Sequence, residues 1–177
     1  TPTGVGGGSN SMMYTLPSLM DGVAVNVGFT PSGSATESAT SYSLTYTGVE
    51  GLSVSYGHGD GTTANTDGTA MKASYAIGSF TVAASSYEYD ADGTSADNDT
   101  SSYQLSYTVS DEVSISYGQD TIEEGTSEDV EATRLKVSYT AGGMTLSGAM
   151  AEIENIDGST TATEDRELWS LGASFAF

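Results

Sequence analysis

The chain has 177 residues and carries 24 acidic side chains against four basic ones, a net charge of −20. A surface that neutralises phosphate needs clustered Lys and Arg, so this balance excludes nucleic acid as a partner. With no cysteine there is neither a disulfide framework nor a thiolate metal site, and no apolar run approaches the ~18 residues of a membrane-spanning helix.

Leu, Ile, Val and Phe together make up only 29 of the 177 residues, a proportion that with this charge is typical of disordered chains. The order of the residues argues otherwise. Large apolar side chains recur at every second position in segment after segment, the period of a strand with one greasy face and one wet face. In chain order the expected strands are Ser11 to Leu16, Gly22 to Thr30, Tyr42 to Tyr46, Leu52 to Tyr56, Thr69 to Ala76, Phe80 to Tyr89, Tyr103 to Tyr107, Val113 to Tyr117, Leu135 to Tyr139, Met144 to Ile153 and Arg166 to Phe177. No segment has a helical period. The visible cores are shorter than the ~9 to 11 tilted residues that cross a bilayer, so the strands are expected to run on into their polar flanks.

The connections alternate. Tight ones are expected near Pro17 to Asp21, Gly48 to Gly51, Ala76 to Ser79, Ser110 to Glu112 and Ala141 to Gly143. Long ones are expected at Pro31 to Ala39, Gly59 to Gly68, Asp90 to Thr100, Asp120 to Asp129 and Asn155 to Glu164. Eleven antiparallel strands with this alternation describe an all-β transmembrane barrel, short turns on the periplasmic side and long loops outside. The aromatic residues sort into two levels. Tyr46, Tyr75, Phe80, Tyr107, Tyr139 and Phe177 lie near the tight turns, and Phe29, Tyr42, Tyr56, Tyr87, Tyr103, Tyr117 and Trp169 lie toward the long loops, as two interfacial belts require.

Two stretches resemble a known family. The segment from Asn10 through Met12, Tyr14, Pro17 and Gly22 to Phe29 is similar to the part of Gram-negative general porins that leaves the constriction loop, and the terminal Phe177 resembles their barrel-assembly signal. The resemblance implies a sixteen-stranded barrel in the outer membrane of a Gram-negative bacterium, assembled as a homotrimer with help from the barrel-assembly machinery. Eleven is odd and complete bacterial barrels are even, so the chain is expected to be one unit, residues 1–177, supplying the last eleven strands. Residues 1–10 would then be the tail of the constriction loop.

On that basis the chain is expected to be a water-filled diffusion channel for small hydrophilic solutes and ions, with a weak preference for cations, and not an enzyme. Ser43, Thr45, Ser53, Ser55, Ser106, Ser114 and Ser138 are expected to line the lumen. The four basic residues, Lys72, Arg134, Lys136 and Arg166, stand on the parity opposite Met71, Leu135, Val137 and Trp169 and are expected to point inward, because charge facing lipid at mid-bilayer costs ~2 to 4 kcal/mol. Asp60, Asp67, Asp90, Asp92, Asp97, Asp99, Asp120, Glu123 and Glu124 are expected in acidic outer loops. Asp90, Asp92, Asp97 and Asp99 are candidate oxygen ligands for Ca²⁺, although their spacing departs from the EF-hand loop. If calcium were structural, the alternative is a calcium-dependent surface-layer or adhesive β-protein. The single histidine, His58, has no nucleophile-elbow context, and Gly4 to Gly8 lacks the Gly-Lys-Ser/Thr ending of a phosphate loop.

Overall fold

The structure is a computed structural model describing residues 11–17, 20–33, 37–91, 97–124, 127–156 and 165–176. Its eleven strands are β1 (Met12–Thr15), β2 (Val23–Thr30), β3 (Ala39–Tyr46), β4 (Leu52–Asp60), β5 (Asp67–Ile77), β6 (Phe80–Asp90), β7 (Asn98–Thr108), β8 (Val113–Glu124), β9 (Val130–Ala141), β10 (Met144–Glu154) and β11 (Arg166–Phe175). Each pairs antiparallel with the next in sequence, giving one all-β meander of eleven strands in order. The ends do not meet, so β1 and β11 each have one edge without a partner among the described residues.

The alternation of Tyr, Leu and Val with Ser and Thr produces these strands because β-branched and aromatic side chains suit a pleated surface. From β5 to β10 they extend to 11 or 12 residues, long enough to cross a bilayer at a tilt. The polar flanks are therefore strand: Asp60, Asp67, Asp90, Asp99, Asp120, Glu123 and Glu124 belong to strand ends rather than to the loops expected for them. A sheet ladder satisfies backbone N–H and C=O groups whatever the side chain, so pairing continues past the last apolar residue.

The tight turns follow backbone chemistry. Ala141 pairs with Met144 around Gly142 and Gly143, which have φ of 58° and 79°. Positive φ at both central positions is the type I′ hairpin, whose twist matches the strands it joins. Ile77 pairs with Phe80 around Gly78 and Ser79, and there only Gly78 is in the left-handed region, as a type II′ turn requires.

Neither face of the sheet has a packed core. Only Ala39 and Ser41 among the apolar and polar side chains described are buried, while Leu44, Met150 and Trp169 are 45%, 68% and 82% exposed. An apolar surface this extensive is the mark of a wall that another medium covers.

Candidate pore wall

Register decides what each face presents. Side chains of directly paired residues share a face, so the pairings can be followed across the sheet. One continuous row reads Leu52, Tyr75, Val82, Leu105, Tyr117, Leu135, Met150 and Trp169, across β4 to β11. The neighbouring row, one residue along, reads Ser53, Ser74, Ala83, Gln104, Gly118, Arg134, Ala151 and Leu168. A single step along each strand thus changes an apolar face into a polar one. The next row on the polar face is Thr45, Ser55, Lys72, Ser85, Ser102, Asp120, Ala132, Ile153 and Arg166. All four basic residues lie on this polar face, Lys136 through its pairing with Ser116 and Ala149.

Lys72, Arg134 and Lys136 line one recess of about 660 Å³ with Asp120 and serines of β4 to β8. Arg166 stands on the same face two strands beyond Arg134 but outside that recess. The seven Ser and Thr residues expected in the lumen all have polar-face register, Ser43 opposite Gly57 and Ser106 opposite Ser116 among them. Polar side chains on this face also bond to one another: Thr15 donates to Asn26 Oδ1 at 2.7 Å, Asn26 Nδ2 to Ser43 Oγ at 3.2 Å, and Gln104 Nε2 to Ser106 Oγ at 3.1 Å. Such rungs stiffen the wall without filling the space before it.

The carboxylates behave differently. Of the twelve Asp and Glu residues within strands, only Asp120 and Glu124 have polar-face register. The other ten, from Asp60 on β4 to Glu167 on β11, share the apolar face at its outer end. Several are directly opposed: Asp60 with Asp67, Asp67 with Asp90, Glu88 with Asp99, Asp99 with Glu123, Glu131 with Glu154 and Glu152 with Glu167. Strands β1 to β3 contain no charged residue at all. Parity within each strand carried this information, and reading these residues as loops concealed it.

One aromatic expectation is corrected. Tyr87 pairs with Ala70 in the register that puts Lys72 opposite Ser85, so it faces the polar side, where its hydroxyl lies close to Gly68. It does not join the outer lipid belt. In β6 the outward residues are Phe80, Val82, Ala84, Ser86 and Glu88, and Tyr87 is out of step with them. The other described belt residues keep the apolar face, with Phe80 and Tyr107 rings 4.5 Å apart and Tyr42 and Tyr56 rings 6.0 Å apart. Phe177 and Asp92 lie outside the described residues, as do residues 1–10.

His58 is on the apolar face, where Nδ1 is 3.0 Å from Thr69 Oγ1 and Nε2 is 4.0 Å from Asp60 Oδ1. Thr40 donates to the other oxygen of Asp60 at 2.6 Å. These contacts tie together β3, β4 and β5, and they face away from the recess. Of the calcium candidates, Asp97 accepts from the Ala91 N–H at 3.0 Å, while Asp90 and Asp99 take part in the opposed pairs above. Among the described residues no group of three or more His, Asp or Glu is disposed to hold a metal ion.

A sheet with a charge-free apolar band on one face, a hydroxyl and cation surface on the other, and hairpins joining every strand is the wall of a transmembrane β-barrel. The profile of the Gram-negative porin family matches residues 1–118, two thirds of the chain. The chain belongs to that family and is accordingly an outer-membrane protein. No curated protein matches it.

Solved structures agree in fold. A triple mutant of the Rh. blastica porin superimposes with a TM-score of 0.70 at 15% identity, over 95% of this chain and 68% of that one. The anion-selective porin from Comamonas acidovorans gives 0.62 at 18% identity, over 81% and 48%. The trimer form of OmpT of Vibrio cholerae gives 0.58 at 17% identity, over 92% and 61%. The chain therefore spans between about half and two thirds of the length of these outer-membrane proteins.

Proposed function

We propose that this chain forms part of the wall of a passive outer-membrane channel that admits small hydrophilic solutes and ions. The observation that carries this is the one-residue change from the Leu52 to Trp169 row to the Ser53 to Leu168 row, sustained over eight strands. Such a wall is stable only with lipid on one side and water on the other. Permeation then needs no covalent chemistry, and solutes are sorted by width and by charge.

The two charge sets act over different ranges. The ten outward carboxylates surround the outer mouth and attract cations toward it while their field is unscreened, that is, while the Debye length exceeds ~10 Å below about 0.1 M salt. The basic residues act on ions already inside. A weak cation preference is therefore a low-salt property that fades as salt rises. Reversal potentials across a tenfold KCl gradient, measured on the outer-membrane assembly in planar bilayers at low and at high mean salt, test this reading. Potassium preference that declines with salt is expected. Equal permeation of potassium and chloride at low salt counts against the preference, and inserted protein without conductance counts against the channel. By family, three such barrels would assemble as a trimer, with lipid on the outward faces left free and the barrel-assembly machinery engaged during biogenesis.

A further inference from the structure

The recess concentrates positive charge in a chain that has little of it. Three of the four basic residues line it, with Asp120 as the one carboxylate among the described lining residues. No ion pair joins Lys72, Arg134 or Lys136 to any described residue. Avoiding lipid explains why they face inward, but not why they share one recess. Arg134 and Lys136 are two positions apart on β9, so their Cα atoms are separated by roughly 7 Å on one face. Arg134 is directly opposite Gly118, whose missing side chain leaves space for the guanidinium, and Lys136 is opposite Ser116, a hydroxyl donor. Asp120, two positions beyond Gly118, is diagonal to Arg134 and offsets part of its charge. Lys72 is four strands away, ~19 Å along the wall, too far to share a small ligand.

We propose that Arg134 and Lys136 form a docking point for the oxyanion group, phosphate or carboxylate, of a permeating solute. The inference rests on the reading of this face as a channel wall. A guanidinium offers a planar pair of donors that fits two oxygens of one oxyanion and that chloride cannot use fully, and the ammonium and the Ser116 hydroxyl supply the remaining donors. The partial offset by Asp120 keeps the affinity low, on the order of millimolar, so that the solute can leave again. Oxyanions are thus retained at one point of a conduit whose mouth favours cations.

The test uses the outer-membrane assembly, with inorganic phosphate and succinate as probes against a chloride background. In planar bilayers both should reduce the chloride-carried current saturably. R134Q/K136Q should raise the half-blocking concentration about tenfold or more, since charge-assisted hydrogen bonds are lost, and D120N should lower it about threefold. Glu112→Gln, at the tight turn between β7 and β8, should not move it. Block by phosphate alone narrows the ligand to phosphate-bearing solutes, and block by both extends it to carboxylates. Binding is measured separately by ³¹P line broadening of phosphate with the detergent-solubilised assembly. Protein that conducts but neither broadens phosphate nor is blocked overturns the docking point. So does block or broadening that survives in R134Q/K136Q. Protein that broadens phosphate through Arg134 and Lys136 yet never conducts supports the docking point and overturns the channel.

Discussion

The register can be tested by moving one charge around a single strand. Leu135 has outward register, between Tyr117 and Met150. It lies seven positions before the turn glycine Gly142, which at ~3.4 Å rise and ~45° tilt puts it roughly 17 Å above the turn. Tyr139, three positions before the turn glycine, is then at roughly 7 Å, in the interfacial belt. Leu135 is consequently close to mid-bilayer, and Leu135→Arg should destabilise the folded protein by ~2 to 4 kcal/mol, about 30- to 900-fold in the folding equilibrium. Ser138→Arg adds the same side chain to the same strand with the opposite parity, between Ser114 and Ser147. Its neighbour on that face, Lys136, repels it only through water, so the change should stay within ~0.5 kcal/mol. Denaturant titration of folding into lipid vesicles, followed by tryptophan fluorescence of Trp169, measures both. Equal losses for the two variants, or a larger loss for Ser138→Arg, would refute the assignment of faces.

Other consequences follow from the same register. Asp99 lies between Glu88 and Glu123, and replacing it by Lys should stabilise the fold by ~0.5 to 1 kcal/mol at low salt, with the gain shrinking in 1 M salt when unfolding is repeated there. Gly143→Val forces a β-branched residue into φ of 79° at the β9–β10 turn, and should cost ~1 to 2 kcal/mol and slow hairpin formation in stopped-flow folding. Asn26→Ala removes the link between Thr15 and Ser43 at 2.7 and 3.2 Å, and should cost ~1 kcal/mol in the same vesicle assay while raising hydrogen exchange in β1.

Much of the fold is legible in the residue pattern itself. The eleven strands and the polar-face register of Lys72, Arg134, Lys136 and Arg166 follow from period-two alternation and from the penalty for charge in lipid. The strand ends were not legible in the same way, because residues such as Asn98 and Asp99 have low strand propensity, yet the ladder carries them into register with Glu124 and Glu123. Tyr87 illustrates a second limit. A tyrosine near an outer loop fits an interfacial belt by type and position, and only its phase relative to Phe80 and Val82 turns it inward. The recess draws on seven separate strands, β3 to β9, and sequence spacing within one strand carries no sign of which residues of another strand share its row.

The sheet edges carry a further consequence. Among the described residues the ten-residue strand β11 has hydrogen-bonding partners on one side only, and with that edge left open about half its backbone groups would meet hydrocarbon unpaired, at several kcal/mol each. No part of this wall can therefore dissolve in a membrane ahead of the rest. Entry into the bilayer and sealing of the seam have to be a single kinetic event, and agents that hold the seam open should trap the protein at the membrane surface.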